Sequence, residues 1–266
     1  MFVLDTSARK TRCTRSRRRS LRSHGMDWIT TVEREGAALG DAAAVDMGAA
    51  VPAAPGWDVT ELLRHVGQIH ARTSVILRTG TMERPSRANG MLPEPPTDGV
   101  LDWYRSTLAE LMVDLRAIDD PERPVYSFAP GHRRAGFWPR RMAQETTIHR
   151  VDAEQATGGP VTPIDPAIAV DGIDEIFTVF VPALGAGRSP GDGRTVHLHA
   201  TDVPGEWLIR FDDAISVESG HAKGDAAVRG PAGELLLWLW GRRSLDGLDV
   251  FGDLDAAGSL RAITVF

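Results

Sequence analysis

Apolar residues recur at helical spacing in four successive stretches of the first 160 residues. From Met26 to about Ala50 the chain is rich in Ala, Glu and Leu and predicts a helix, weakened by Gly36, Gly40 and Gly48. Val51 to Trp57 is a Pro/Gly breaker cluster carrying one aromatic. Asp58, with Glu61 three residues on, supplies an N-cap and capping box for a second helix to about Leu77. Its stripe is Leu62, Leu63, Val66 and Ile69, with His65 on the same inward side. Residues 79–98 are polar and Pro/Gly-rich, a long surface loop of the kind that can border a pocket. A third helix runs from Val100 to Ile118, burying Leu101, Tyr104, Leu108, Leu111, Met112 and Leu115. A fourth starts at Trp138-Pro139, where proline suits the first turn, and stops near Gly158. Four such helices joined by loops predict an N-terminal four-helix bundle over residues 26–160.

After Pro160 the pattern changes. Residues 166–183 read as one more helix. Short alternating runs at 195–199, 207–211, 214–217 and 226–228 read as strands of a small antiparallel sheet. Glu234 to Trp240 is a strongly apolar helix, and 247–266 holds a further strand and a terminal helix. Trp238 and Trp240 are two residues apart and cannot share a helical face, so they read as core and domain-interface anchors. The second part, residues 161–266, is thus a small α+β domain.

Composition narrows the function classes. The chain has 266 residues, 42% of them hydrophobic, and a single cysteine, which excludes an internal disulfide and a cysteine-built metal site. No apolar run approaches the length of a membrane span. The formal net charge is -6, unevenly spread. Residues 1–25 carry eight Arg/Lys against one acid and read as a basic head, either disordered or upstream of a native start at Met26. The rest sets 35 acids against 22 bases, a poor surface for nucleic acid or anionic membrane. Cys13 lies in that head and is given no catalytic role. A cytoplasmic location is expected.

The chemistry-bearing pattern is Glu145-x-x-x-His149. Spacing of four puts both side chains on one helical face, and burying two ionisable groups there requires partners. One reading is a structural Glu–His pair with a neighbouring arginine. The other is a metal tripod completed by His65, whose two imidazoles and one carboxylate suit zinc with an open position, or non-haem iron. Asp152, one turn beyond His149, either orients that ring or is simply solvated. His70 reads as an ordinary boundary histidine. His197 and His199 share a strand face with no third ligand placed beside them. Arg210, Arg242 and Arg243 are candidates for a positive wall. Phosphate-loop, dinucleotide and serine-elbow motifs are absent.

Three segments resemble the mycothiol-dependent maleylpyruvate isomerase family: Ala54 to Val66, Gly136 to Glu154, and Ala169 to Glu175. Gly230 through Leu235 to Arg242 resembles the family's C-terminal helix. The resemblance spans about residues 27–266. It implies a metal-binding helical bundle followed by an α+β domain of sterol-carrier-like character. It implies metal ligands at His65, Glu145 and His149, and a catalytic arginine at Arg242. It further implies Zn2+ or another divalent ion, mycothiol as an external thiol cosubstrate, a small-molecule electrophile, and an actinobacterial source. Two positions depart from the family pattern. Ala54 stands where cysteine is frequent, and Gln144 where histidine is frequent, which predicts a change of polarity beside the ligands. Isomerisation and thiol transfer share this chemistry. A catalytically silent metal- or ligand-binding protein is the alternative.

Overall fold

The computed structural model describes residues 26–265. The readings of the basic head and of Cys13 lie outside the described residues. The helical part contains α1 (Trp28–Ala43), α2 (Val59–Thr79), α3 (Val100–Arg116) and α4 (Trp138–Ala156). Asp58 caps α2 as its sequence requires, its carboxylate accepting the Glu61 N–H at 2.8 Å. Such a cap contributes about 1 kcal/mol. α1 ends seven residues earlier than expected. Asp46 accepts the Gly48 N–H at 2.9 Å, and this local Asx turn competes with the helix.

α4 is the axis of the molecule, with α1 and α2 both packed along it. It is buried on almost every side although more than half its residues are polar. Arg150 is completely enclosed and donates to Glu35 of α1 at 2.8 Å, to Glu154 at 2.7 Å and to the Thr162 carbonyl at 2.6 Å. Such groups are tolerated inside only when paired. α4 also joins the two parts, because Ile148 and Val151 belong to the same apolar cluster as the core of the second part.

That second part opens with the expected helical run, unbroken from α5 (Pro166–Glu175) through a π-helical turn at Ile176–Phe180 to the short α6 (Val181–Leu184). It continues with β1 (Thr195–Ala200), β2 (Glu206–Phe211), β3 (Ile215–Ser219), β4 (Ala226–Gly230), α7 (Ala232–Leu239), β5 (Asp249–Gly252) and α8 (Leu254–Thr264). The sheet order is β3-β2-β1-β4-β5. It is mixed, not antiparallel as expected, because β4 pairs parallel to β1. Residues 220–225 must therefore cross β2 and β1 to reach β4, a placement that alternation along a strand does not encode. α7 and α8 pack against one face of the sheet, over Val196, Leu198, Trp207, Ile209 and Phe211. The architecture is an α-helical part followed by an α+β part. Among the described residues, no helix is long and apolar enough to cross a membrane.

Candidate metal centre

α2 and α4 bring His65, Glu145 and His149 together. One donor atom from each lies within 4.8 Å of the others. His149 Nε2 is 3.2 Å and His65 Nε2 is 3.6 Å from the same Glu145 Oε1. The two imidazole rings stand edge to face, 5.1 Å apart.

Each of the three is oriented by a neighbour. Arg141, one turn before Glu145, donates to Glu145 Oε2 at 2.6 Å, which leaves Oε1 facing the histidines. Arg141 also pairs with the buried Glu175 of α5 and lies 4.9 Å from the centre of the Phe180 ring. Asp152 Oδ2 is 2.9 Å from His149 Nδ1, fixing the ring so that Nε2 turns toward Glu145. Trp57 packs at 5.1 Å from the His65 ring. The breaker cluster places it there as a closed turn, with Val51 N–H on the Trp57 carbonyl at 3.0 Å.

Electrostatics follow from these contacts. Burial works to raise the Glu145 pKa, but the Arg141 cation and the bonds from both histidines outweigh it and hold the carboxyl well below its usual range. Burial works to lower His149, but Asp152 and Glu145 outweigh it and push the ring up to about 9 in the metal-free chain. Two imidazole nitrogens and one carboxylate oxygen are a donor set that fits a borderline divalent ion such as zinc, and His149 carries the carboxylate partner typical of metal-ligating histidines.

The tripod opens on a cavity of about 530 Å³ between the two parts of the chain. Its walls include Trp57, Phe180, Trp240, Arg242 and Arg261. Arg242 is placed by the end of α7. Gly241 at φ +76 closes a Schellman motif, with Gly241 N–H on the Trp238 carbonyl at 2.9 Å and Arg242 N–H on the Leu237 carbonyl at 2.7 Å. Its guanidinium meets Asp152 at two points, Nε to Oδ1 at 3.0 Å and one Nη to Oδ2 at 2.9 Å. Arg242 thus lines the cavity with its guanidinium paired to a carboxylate.

Several expectations are corrected. The loop 79–98 contributes nothing to this cavity, and the short 52–57 turn borders it instead. Gln144 does not face the ligands. It is about 100° around the helix from Glu145 and donates to the Ile168 carbonyl and to Asp171, both at 3.0 Å, pinning α5 to α4. His70 is fully buried rather than at a boundary, with its ring 5.6 Å from Tyr104. Burial pushes it down to about 4. Arg210 and Arg243 lie away from the cavity, Arg243 within 3.5 Å of Glu234. Trp238 is a core residue and Trp240 lines the cavity between the two parts, in keeping with the expected core and interface roles. His197 and His199 do share a face, but His197 meets Glu206 and His221. Arg141, Glu175, Phe180 and Arg261 were not singled out from sequence. Of these, only Arg141 carried a signal, its spacing of four from Glu145.

Sequence models of two domains match this chain. The mycothiol maleylpyruvate isomerase N-terminal domain matches residues 28–154, and the C-terminal domain of the same proteins matches residues 167–259. Two crystal structures of the mycothiol-dependent maleylpyruvate isomerase are similar in fold. One matches with a TM-score of 0.58 at 18% identity, and a histidine-to-alanine mutant of that enzyme with 0.59 at 17%. Each match covers 85% of this chain and 93% of the other. A ubiquinone synthesis protein titled UbiJ-SCP2 matches 39% of the chain at 21% identity, with a TM-score of only 0.27. No curated protein sequence matches. With both domain models matched in order across most of its length, this chain belongs to the mycothiol maleylpyruvate isomerase family.

Proposed function

We propose that this protein is a mycothiol-dependent isomerase acting on a small electrophilic acid, with a divalent metal, zinc foremost, held by His65, Glu145 and His149. The supporting observation is the convergence of three oriented donors on one wall of a cavity that the second part of the chain closes. The ion, when bound, supplies Lewis acidity and favours a thiolate over a thiol near neutral pH.

The reaction class is addition of the thiol sulfur to one carbon of a conjugated double bond. Rotation about the resulting single bond follows, and expulsion of the same thiol restores the double bond as the other geometric isomer. The thiol returns unchanged, so atoms and electrons balance. The chain's own residues set the stage. Arg141 and Asp152 lock Glu145 and His149 in the orientation that presents Oε1 and Nε2. Trp57, Phe180 and Trp240 give the cavity apolar walls that exclude water from the reacting carbons. Arg261 lines the cavity with one long contact, 3.5 Å to the Gly241 carbonyl, and is free to pair with a substrate carboxylate. His149 and Arg242 together hold the Asp152 carboxyl below its usual range against burial, and Arg242 brings positive charge to the cavity wall.

Metal content by elemental mass spectrometry on wild type, His65→Ala, Glu145→Ala and His149→Ala tests the tripod. About one zinc per chain beyond any metal bound elsewhere, lost in each variant, is expected. Iron or nickel in its place retains the site and changes the chemistry. Absence of that equivalent in wild type, even after metal is added, overturns the metal reading. Mycothiol-dependent turnover of conjugated electrophilic acids then tests the activity. A metal-loaded chain with no thiol-dependent turnover is a binding protein instead.

A further inference from the structure

The outer face of the sheet carries a second group with the same donor composition as the tripod: His197 of β1, Glu206 of β2 and His221 of the crossing segment 220–225. Their donor atoms also lie within 4.8 Å of one another. His197 Nε2 is 3.0 Å and His221 Nδ1 is 2.8 Å from a single oxygen, Glu206 Oε2. The two rings stand edge to face at 5.3 Å. We infer that His197, Glu206 and His221 form a second binding site for a borderline divalent cation of the zinc type.

The fold builds this arrangement from three separate segments. β1 pairs with β2 in the register His197↔Leu208 and His199↔Glu206, so Glu206 is the diagonal neighbour of His197 on the same face. That face is opposite the one carrying Val196, Leu198, Trp207 and Ile209 in the core. The mixed topology sends the chain after β3 back across this face. Gly220, at φ +124, makes the turn, and its N–H holds the Glu206 carbonyl at 3.0 Å. His221 is thereby set directly over the Glu206 carboxylate. The crossing also covers His197, whose side chain is only 6% exposed, while the His221 ring remains 79% exposed. One ligand is therefore enclosed, one is partly exposed, and the third, His221, is held over the carboxylate from the solvent side.

Chemistry favours a cation of this class. In a tetrahedral zinc site the ligand atoms lie about 3.3 Å apart, for bonds of about 2.0 Å. The observed 3.0 and 2.8 Å separations need only a small outward shift. Imidazole with carboxylate suits zinc, nickel or copper rather than magnesium or calcium, which require an all-oxygen shell.

The test uses the full chain without an affinity tag, stripped with chelator and reloaded with Zn2+. Bound zinc is counted after desalting, and Co2+ is used as a spectroscopic reporter. Wild type should hold two equivalents, His221→Ala one, His65→Ala one, and the double variant none. His221 is exposed, so its replacement leaves the fold intact, and Glu206→Gln gives an independent readout with the same expected loss. Should the bundle tripod bind nothing, wild type would hold one equivalent, unaffected by His65→Ala and lost with His221→Ala. Zinc stoichiometry and the Co2+ spectrum unchanged by both His221→Ala and Glu206→Gln would overturn the inference and leave a hydrogen-bonded cluster.

Discussion

Asp152 and Arg242 stand ninety residues apart in the chain and meet at two hydrogen bonds of 3.0 and 2.9 Å in the wall of the cavity. Asp152 also holds Nδ1 of His149 at 2.9 Å, so one carboxylate links the orientation of a tripod histidine to the end of α7. Replacing Asp152 with Asn keeps the shape and removes the charge. Metal affinity should fall by about 10–100-fold, the usual cost of losing such a partner. Isothermal titration with Zn2+ measures it, and unaltered affinity would refute the coupling.

Removing Arg242 leaves the buried Asp152 with only His149 as partner. Arg242→Ala should lower stability by about 3 kcal/mol, the range for breaking an enclosed ion pair. Denaturant unfolding measures this. A loss within a few tenths of a kcal/mol would show that solvent replaces the arginine.

His149 gives metal uptake a definite pH dependence. In the metal-free chain its folded value is raised to about 9, so the ring carries a proton at neutral pH. That proton contributes fold stability fully present below its unfolded value near 6.5, and lost as pH rises through 9. Metal binding must release it. Titration at pH 7 in buffers of different ionisation enthalpy should show about one proton liberated per bound ion, with affinity rising toward pH 9.

His70 acts in the opposite direction. Burial lowers its folded value to about 4, so the unfolded chain takes up the proton first as pH falls. Its contribution is present above about 6.5 and is lost progressively toward pH 4. Between pH 7 and 5 the loss amounts to about 2 kcal/mol. Wild type should therefore lose about that much more stability than His70→Asn over this interval. Parallel slopes for the two proteins would remove His70 as the cause.

The close approach of α2 and α3 rests on Gly67. A Cβ there would lie 2.4 Å from the Trp103 ring. Gly67→Ala should cost about 1–3 kcal/mol through overpacking, despite alanine's better helix propensity. Pairing it with Trp103→Leu should recover part of the loss in thermal melts.

Local sequence determined much of this protein. Capping at Asp58, proline at the start of α4 and the period of the apolar stripes placed α2, α3 and α4 within a few residues, while the end of α1 was overrun by seven. Alternation likewise located the strands. The spacing of Glu145 and His149 put both on one face of α4, since that is a property of the helix itself. The inward phase of His65 on α2 already offered it as a third ligand, and the family resemblance added a catalytic role for Arg242 and the thiol chemistry.

Tertiary structure decided the rest, because it depends on contacts between distant segments. No periodicity shows that Gln144 would pin α5, that Arg242 would be engaged by Asp152, or that Arg261 would reach the same cavity. Strand alternation puts His197 on the outer face, but it carries no information about sheet order. Only the parallel pairing of β4 with β1 forces residues 220–225 across the sheet and sets His221 over Glu206.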